Sequence, residues 1–344
     1  METPSGCSEE LWREMAELGW LGLTIPEAYG GAGLGWVDLV ILLEETGRSL
    51  YPSPLISNTL AVTAILEVGS DEQKQRWLPG LVDGSRIGSL ALLEEGDGID
   101  PAETRLSAVA DGEDFLLSGQ KRLVTDPDAA GVFVVSFRCS DAPKDLGLAV
   151  IDADSPGVQA KSFPMIDATK RMGHLDLDGV RVGRDRLLGS PGSAGPAITR
   201  LIDQGAVAVT SEMVGAVEEA IRITVQYAND RIQFGSPIGR FQAVKHPLAE
   251  MHVDLESFKS LLYYAAWAVA SEPESLSRSA SLAKAYATDT FVRTGLDSIS
   301  LHGAVGFTVE ADIQLYFKRS KWARPMFGDA AAHYERAFAL RGVS

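Results

Sequence analysis

Arg231-Ile-Gln-Phe-Gly235, Phe241-Gln242 and Ser300-Leu-His-Gly-Ala-Val-Gly-Phe307 hold the residue types that recognise a dinucleotide. A guanidinium such as that of Arg231 pairs with a pyrophosphate through parallel hydrogen bonds, which a lysine cannot reproduce. Gln233 and Gln242 add amides, and Phe234 and Phe241 add flat apolar rings. A turn such as Gly303-Ala-Val-Gly306 lets backbone N–H groups approach phosphate oxygens. Each piece also has a plainer reading. Arg231 alone reads as a helix-end cation complementing the macrodipole, and the glycine turn as an ordinary break between helices.

Other chemistries find little support. The formal charge of −16 argues against nucleic acid or an anionic membrane as partner, because both select basic surfaces. Five histidines, His174, His246, His252, His302 and His333, show no metal-ligand spacing, so no metal site is expected. Cys7 and Cys139 make neither a disulfide framework nor a metal cluster, which points to a reducing cytoplasm. No apolar run is long enough to span a membrane, and the N-terminus lacks a basic-then-apolar signal pattern. The expectation is a soluble, bacterial-type cytoplasmic protein. Its 344 residues, 45% of them apolar, allow two or three domains with sizeable cores.

The elements that must position these groups follow from periodicity. Residues 1–84 read as an N-terminal helical domain: Leu11, Met15 and Leu18 recur at helical spacing, and a second run covers Val37 to Leu50. The turn Pro26-Glu-Ala-Tyr-Gly-Gly-Ala-Gly33 separates helices. Residues 85–190 read as strands, with short apolar or alternating runs at Phe115-Leu-Leu, Val132–Phe137, Gly147–Ile151 and His174–Val182. Ser118-Gly119 and Asp178-Gly179 are read as turns between strands, and a small antiparallel barrel or sandwich is expected. Residues 191–344 are helical again, with periodic stretches Ile198–Arg231, Val244–Ala270 and Leu276–Leu301 long enough for an antiparallel bundle.

The blocks quoted above, with Leu11-Trp-Arg-Glu-Met-Ala-Glu-Leu-Gly-Trp-Leu-Gly-Leu-Thr-Ile-Pro-Glu-Ala-Tyr-Gly-Gly-Ala-Gly33 and Arg181-Val-Gly-Arg-Asp-Arg-Leu-Leu-Gly189, resemble the acyl-CoA dehydrogenase family over nearly the whole sequence. The resemblance implies an α+β fold: an N-terminal helical domain, here shortened, a central antiparallel β-barrel domain and a C-terminal four-helix bundle. It implies FAD as cofactor, an acyl-CoA substrate, electron-transfer flavoprotein or a similar acceptor, and a homo- or hetero-tetramer with an acyl-CoA dehydrogenase homologue. By resemblance, Arg231, Gln233, Phe234, Ile238, Phe241 and Gln242 form a block that reaches a neighbour's flavin. Ser300, Gly303 and Ala304 belong to the same dinucleotide site, with Ser300 in place of a glutamine and Ala304 in place of a second glycine. Thr125, in Lys121-Arg-Leu-Val-Thr125, takes the position near flavin N5. Leu123 replaces the tryptophan that covers the ring. In Leu92-Leu93-Glu94-Glu95-Gly96-Asp97-Gly98-Ile99-Asp100, Leu93 replaces a flavin-binding threonine and Ile99 a serine that meets substrate. The plainer reading of this loop is an acidic surface turn.

The largest departure concerns the proton-abstracting carboxylate, a group that contributes roughly 10²–10⁴ in rate. One usual position falls on Phe327 and the other on Gly205, and neither residue can accept a proton. Asp203 is the remaining candidate, as substrate anchor or short-armed base, although two residues along a helix turn a side chain by about 200°. Its plain reading is a residue at a helix N-terminus. Asp329 is a second candidate, or the cap of a final helix. Leu93 and Leu123 at the substrate wall suggest a bulky acyl group. Two functions follow: a dehydrogenase forming an α,β double bond in an acyl-CoA thioester, or a partner subunit, not catalytic by itself, that completes the FAD site of a homologous chain, as in heteromeric enzymes of steroid side-chain degradation.

Overall fold

The computed structural model describes residues 6–96 and 98–341. They form two compact units, neither a single stretch of chain. The first comprises the described residues of Met1–Leu39 and Pro52–Gly205; the second, those of Val40–Tyr51 and Ala206–Ser344.

In the first unit, α1 (Glu9–Glu17) starts at Ser8, whose side chain accepts the N–H of Leu11. Its buried face is Trp12 and Met15, whereas Leu11 and Leu18 of the expected stripe are exposed. The large indole decides the orientation, and its Nε1 donates to the carbonyl of Gly84 at 3.0 Å. The turn at 26–33 forms as expected. Gly31 is required there because a Cβ would lie 2.1 Å from the carbonyl oxygen of Ile25. Next come α2 (Trp36–Arg48), α3 (Leu55–Val68) and α4 (Asp71–Val82). Residues Leu55 to Ile65 of α3 are buried all round, polar ones included. Among them, Asn58 donates to the carbonyl of Leu81 at 3.0 Å and accepts the N–H of Gly88 at 2.9 Å, tying three elements together.

The strands are β1 (Gly88–Ala91), β2 (Ser107–Asp111), β3 (Asp114–Thr125), β4 (Val132–Arg138), β5 (Leu146–Asp152), β6 (Val158–Ser162), β7 (Met172–Val182) and β8 (Leu187–Leu188). Their order is β6-β7-β3-β2-β4-β5-β8, with β1 pairing β4. The expected antiparallel barrel is corrected on two counts. The ladder does not close, since it ends on β6 at one side and the two-residue β8 at the other. It is also mixed, because β1 and β2 both run parallel to β4. Local alternation specifies strands but not the partners of distant ones. Inward side chains from both halves, such as Leu117, Phe133, Phe137, Ile151 and Leu177, share one core.

Ser118-Gly119 and Asp178-Gly179 are not turns. Both lie inside long strands, β3 and β7, where the pairing register shifts between Leu117 and Gly119. A second shift falls between Lys121 and Val124, around Leu123, whose φ is 52°. These are bulges, which bend a strand and re-aim its side chains.

The second unit contains the later part of α2, most of α5 (Gly195–Asp230), the short hairpin β9 (Ile232–Gln233) and β10 (Ser236–Pro237), α6 (Gln242–Ser271), α7 (Pro273–His302), α8 (Ile313–Ala323) and α9 (Ala330–Ala339). Only Glu272 separates α6 from α7, and α7 packs against α6, α8 and α9. Glycines bring α2 and α5 into backbone contact: a Cβ on Gly47 would lie 2.1 Å from the carbonyl oxygen of Glu212, and one on Gly215 1.8 Å from that of Glu44. Buried Arg319 spans the same region. It pairs with Glu212 at 3.0 Å and donates to the carbonyl of Leu50 at 3.3 Å. Among the described residues no helix is long and apolar enough to cross a membrane, and no cluster of acidic, histidine and cysteine side chains could hold a metal ion.

Candidate functional site

In the second unit the Arg231 block is a protruding hairpin at the C-terminal end of α5. The N–H of Arg231 still bonds the carbonyl of Tyr227 at 2.8 Å, and its own carbonyl accepts the N–H of Ile238 at 2.9 Å. Between them Phe234 takes a left-handed φ of 52° and is 93% exposed. Its ring meets Phe241 edge-on at 6.0 Å. Arg231, Gln233 and Gln242 are exposed and Ile238 is half-buried. The Gln233 amide donates only to the carbonyl of Ile232, and the guanidinium of Arg231 and the amide of Gln242 bond no described residue.

The Ser300 turn lies beside this hairpin. Tyr227 stacks on His302 at 4.3 Å, and its hydroxyl donates to the carbonyl of His302 at 3.2 Å. His302 bonds the carbonyl of Ser298 through Nδ1 at 2.8 Å. Gly303 follows with φ of 64° and open space where a Cβ would be, and a tight turn covers Gly303–Phe307. Ser300 donates to the carbonyl of Leu296 at 2.9 Å, and Gly303 and Ala304 are exposed. The two sequence blocks are therefore brought together by a tyrosine and a histidine that carried no signal of their own.

The loop bearing Phe327 has the opposite character. Phe327 also adopts a left-handed φ, 54°, but is only 4% exposed. Wholly buried Lys284 of α7 donates to the carbonyls of Arg324 at 3.1 Å and Gly328 at 2.9 Å, and to the hydroxyl of Thr288 at 3.0 Å. Burial pulls its pKa down to about 7, against the opposing pull of Asp329. Buried His333 donates from Nε2 to the carbonyl of Phe327 at 2.7 Å, leaving Nδ1 without a partner. Burial, reinforced by the charge of Lys284, depresses its pKa to about 3. Asp329 accepts the N–H of Ala332 at 3.0 Å and caps α9, which is the plainer of its two readings.

In the first unit, Thr125 ends β3. It is 6% exposed, and its hydroxyl bonds no described residue. Its carbonyl accepts from Ser89 at 2.6 Å. Alongside runs Leu92–Glu95, held by a network that the sequence did not announce. Lys121 is wholly buried and donates to the Glu94 carboxylate at 2.5 Å, the Leu92 carbonyl at 3.2 Å and the Ser136 hydroxyl at 3.0 Å. Glu94 in turn accepts the N–H groups of Arg105 at 2.7 Å and Leu106 at 3.0 Å. Burial lowers the Lys121 pKa to about 8, with Glu94 opposing. The available signal was alternation, since Lys121 shares the inward face of β3 with Leu117.

Leu93 and Ile99 meet Ile198 and Ile202, one turn apart on α5, around a cavity of about 40 Å³. That volume admits a water-sized group. Asp97 of this acidic loop lies outside the described residues. Asp203 does not line the cavity; it is 1% exposed in the third turn of α5, so the reading as a first-turn residue does not hold. Gly205 is buried on the same helix. Arg231 and Gln242 in the second unit, and separately Thr125 in the first, each present a cationic or polar group that no described residue satisfies, which is chemistry that suits a flavin dinucleotide. Leu93 and Leu123 offer it no donor.

Known proteins match this arrangement. The acyl-CoA dehydrogenase C-terminal domain corresponds to residues 195–337 and the N-terminal domain to residues 2–85. Acyl-CoA dehydrogenase IpdE2 of Mycolicibacterium smegmatis is 30% identical over 337 residues, 95% of this chain and 86% of its own. The solved Tcur3481-Tcur3483 steroid ACAD superposes with a TM-score of 0.89 at 36% identity, covering 98% of this chain and 90% of that one. The ChsE4-ChsE5 complex from Mycobacterium tuberculosis superposes with a TM-score of 0.89 at 28% identity, covering 98% and 89%. The chain belongs to the acyl-CoA dehydrogenase family, whose members are FAD-dependent oxidoreductases acting on CH–CH groups.

Proposed function

We propose that this chain is one subunit of a heteromeric, FAD-dependent acyl-CoA dehydrogenase, completing a flavin site together with a homologous chain that carries the proton-abstracting carboxylate. The observation that carries this reading is the contrast between Arg231 and the base positions. The guanidinium is exposed and unsatisfied among the described residues, whereas Phe327 and Gly205 put no carboxylate where the reaction needs one. Bound FAD supplies the acceptor for the substrate's β-hydride. Toward a flavin held by this chain Thr125 offers a hydroxyl; toward the flavin of the neighbouring chain Arg231 offers a bidentate cation for the pyrophosphate, and Gln242 and the edge-on Phe234–Phe241 pair offer an amide and apolar rings. The two superposed structures are a steroid ACAD and a two-component complex, which supports a paired assembly and a lipid or steroid side-chain acyl-CoA as substrate. Electrons would leave to an electron-transfer flavoprotein or similar acceptor.

Purification alone and after co-expression with a homologue bearing a glutamate at the position of Phe327 tests the reading. Flavin absorbance and anaerobic bleaching by a panel of acyl-CoA esters are the measurements. We expect stoichiometric FAD and bleaching only for the pair. Stoichiometric FAD that bleaches in the isolated chain would establish a self-sufficient enzyme instead. Of the two carboxylates near the usual base positions, Asp329 caps α9, so Asp203→Asn would then be expected to abolish bleaching.

A further inference from the structure

Buried ion pairs are weak sources of stability, because desolvation offsets most of their attraction; well-packed apolar residues often replace them without loss. The Lys121–Glu94 pair therefore calls for another account. Its side chains are 0% and 11% exposed. Besides each other they bind four groups drawn from three segments: the carbonyl of Leu92, the hydroxyl of Ser136 on β4, and the N–H groups of Arg105 and Leu106. Two further bonds run beside the pair. The N–H of Arg122 donates to the carbonyl of Leu93 at 2.9 Å, and Ser89 holds the carbonyl of Thr125. Lys121 also stands immediately before the bulge at Leu123. That bulge breaks the alternation of β3, so that Val124 and Thr125 are both buried.

We propose that Lys121 and Glu94 are positioning residues for the flavin: the pair locks the Leu92–Glu94 segment against the bulged end of β3 and so fixes Thr125 relative to Leu93. This rests on the proposed function, in which Thr125 faces the cofactor, and on the family resemblance, which puts Leu93 beside it. The chemistry suits the task. With Leu93 unable to donate a hydrogen bond, recognition on this wall falls to the Thr125 hydroxyl and to main-chain groups, and main chain can be aimed only by fixing the segments that carry it. A buried ammonium with three acceptors and a carboxylate with three donors define such a geometry more narrowly than apolar contacts do.

The test compares Lys121→Met, Glu94→Gln and the double variant with wild type, each co-expressed with the glutamate-bearing homologue. Each single variant leaves one charge buried without its partner, so its melting temperature should fall. The double variant leaves no charge and should recover most of that loss. A merely structural pair would then show wild-type cofactor binding. The expected result is instead FAD affinity about tenfold weaker, with a shifted visible absorption band in the double variant. Wild-type affinity and spectrum in a folded double variant would overturn the proposal and leave the proposed function standing. If the wild-type pair binds no FAD, the proposed function falls and this inference with it. Should the double variant not fold, Ser136→Ala removes one Lys121 acceptor; a severalfold weaker affinity with the band shift supports the positioning role, and unchanged binding overturns it.

Discussion

Phe234 and Phe327 share a backbone conformation and nothing else. Both are left-handed, with φ of 52° and 54°, a region that costs a non-glycine residue roughly 1–2 kcal/mol. One ring is 93% exposed on a hairpin whose cation and amides make little use of the protein around them. The other is 4% exposed in a loop whose carbonyls are taken by a buried lysine and a buried histidine. Strain that persists in both places has different support. The Phe327 loop is over-determined by its own interior. The Phe234 hairpin keeps its polar groups available, as a surface that binds something else would.

The largest test of that contrast is Lys284→Ala. It strands the carbonyls of Arg324 and Gly328 and empties the space of the lysine stem, so urea denaturation should show a loss of about 3–5 kcal/mol. A loss below about 1 kcal/mol would mean that the loop holds itself. Replacing each phenylalanine by glycine relieves the same backbone strain with opposite net results. Phe327→Gly should lose about 2–4 kcal/mol through ring burial, whereas Phe234→Gly should lie between no change and a gain of about 1 kcal/mol. Equal effects would erase the distinction. Arg231→Ala should leave stability within about 0.5 kcal/mol but weaken flavin binding by a factor of about 10–100 in the assembled pair, measured by fluorescence titration.

The last test is pH. His333 binds a proton in the unfolded chain near 6.5 and in the folded chain only near 3. Between these values the unfolded state holds more protons, so the stability present above pH 6.5 is lost as pH falls, at up to about 1.4 kcal/mol per pH unit. His333→Gln keeps a donor for the Phe327 carbonyl and should flatten that part of the profile.

Much of this architecture was legible in the chain. The order of helices, strands and helices follows from periodicity, and α5, α6 and α7 fall close to the stretches that it marks. The Arg231 and Ser300 blocks stand out in the sequence because they gather a cation, amides and glycines on turns, the residue types that dinucleotide recognition uses. What escaped notice did so for physical reasons. Ser118-Gly119 and Asp178-Gly179 have the composition of turns, and only pairing across β3 and β7 shows them as bulges. The open, mixed ladder depends on β1 and β4, which are far apart in sequence. Lys284 sits in a helical pattern where a lysine reads as solvent-facing, and its burial arises from a loop forty residues away. Lys121 and Glu94 lie in two separate motifs, and nothing in either one signals that their side chains meet.

Gly47 and Gly215, where α2 and α5 touch, have a consequence for how the polypeptide is made. The segment Val40–Tyr51 finishes its packing only with residues synthesised much later: the carbonyl of Arg48 receives its bond from Tyr316, 268 positions on. At a ribosome speed of about 5–20 residues per second, that stretch waits on the order of 13–50 seconds for its partner. Meanwhile the apolar side chains Val40 and Leu43, fully buried in the finished molecule, must be shielded by something else. Yield during expression should therefore respond to chaperone supply and to translation rate more than the finished protein's stability would suggest.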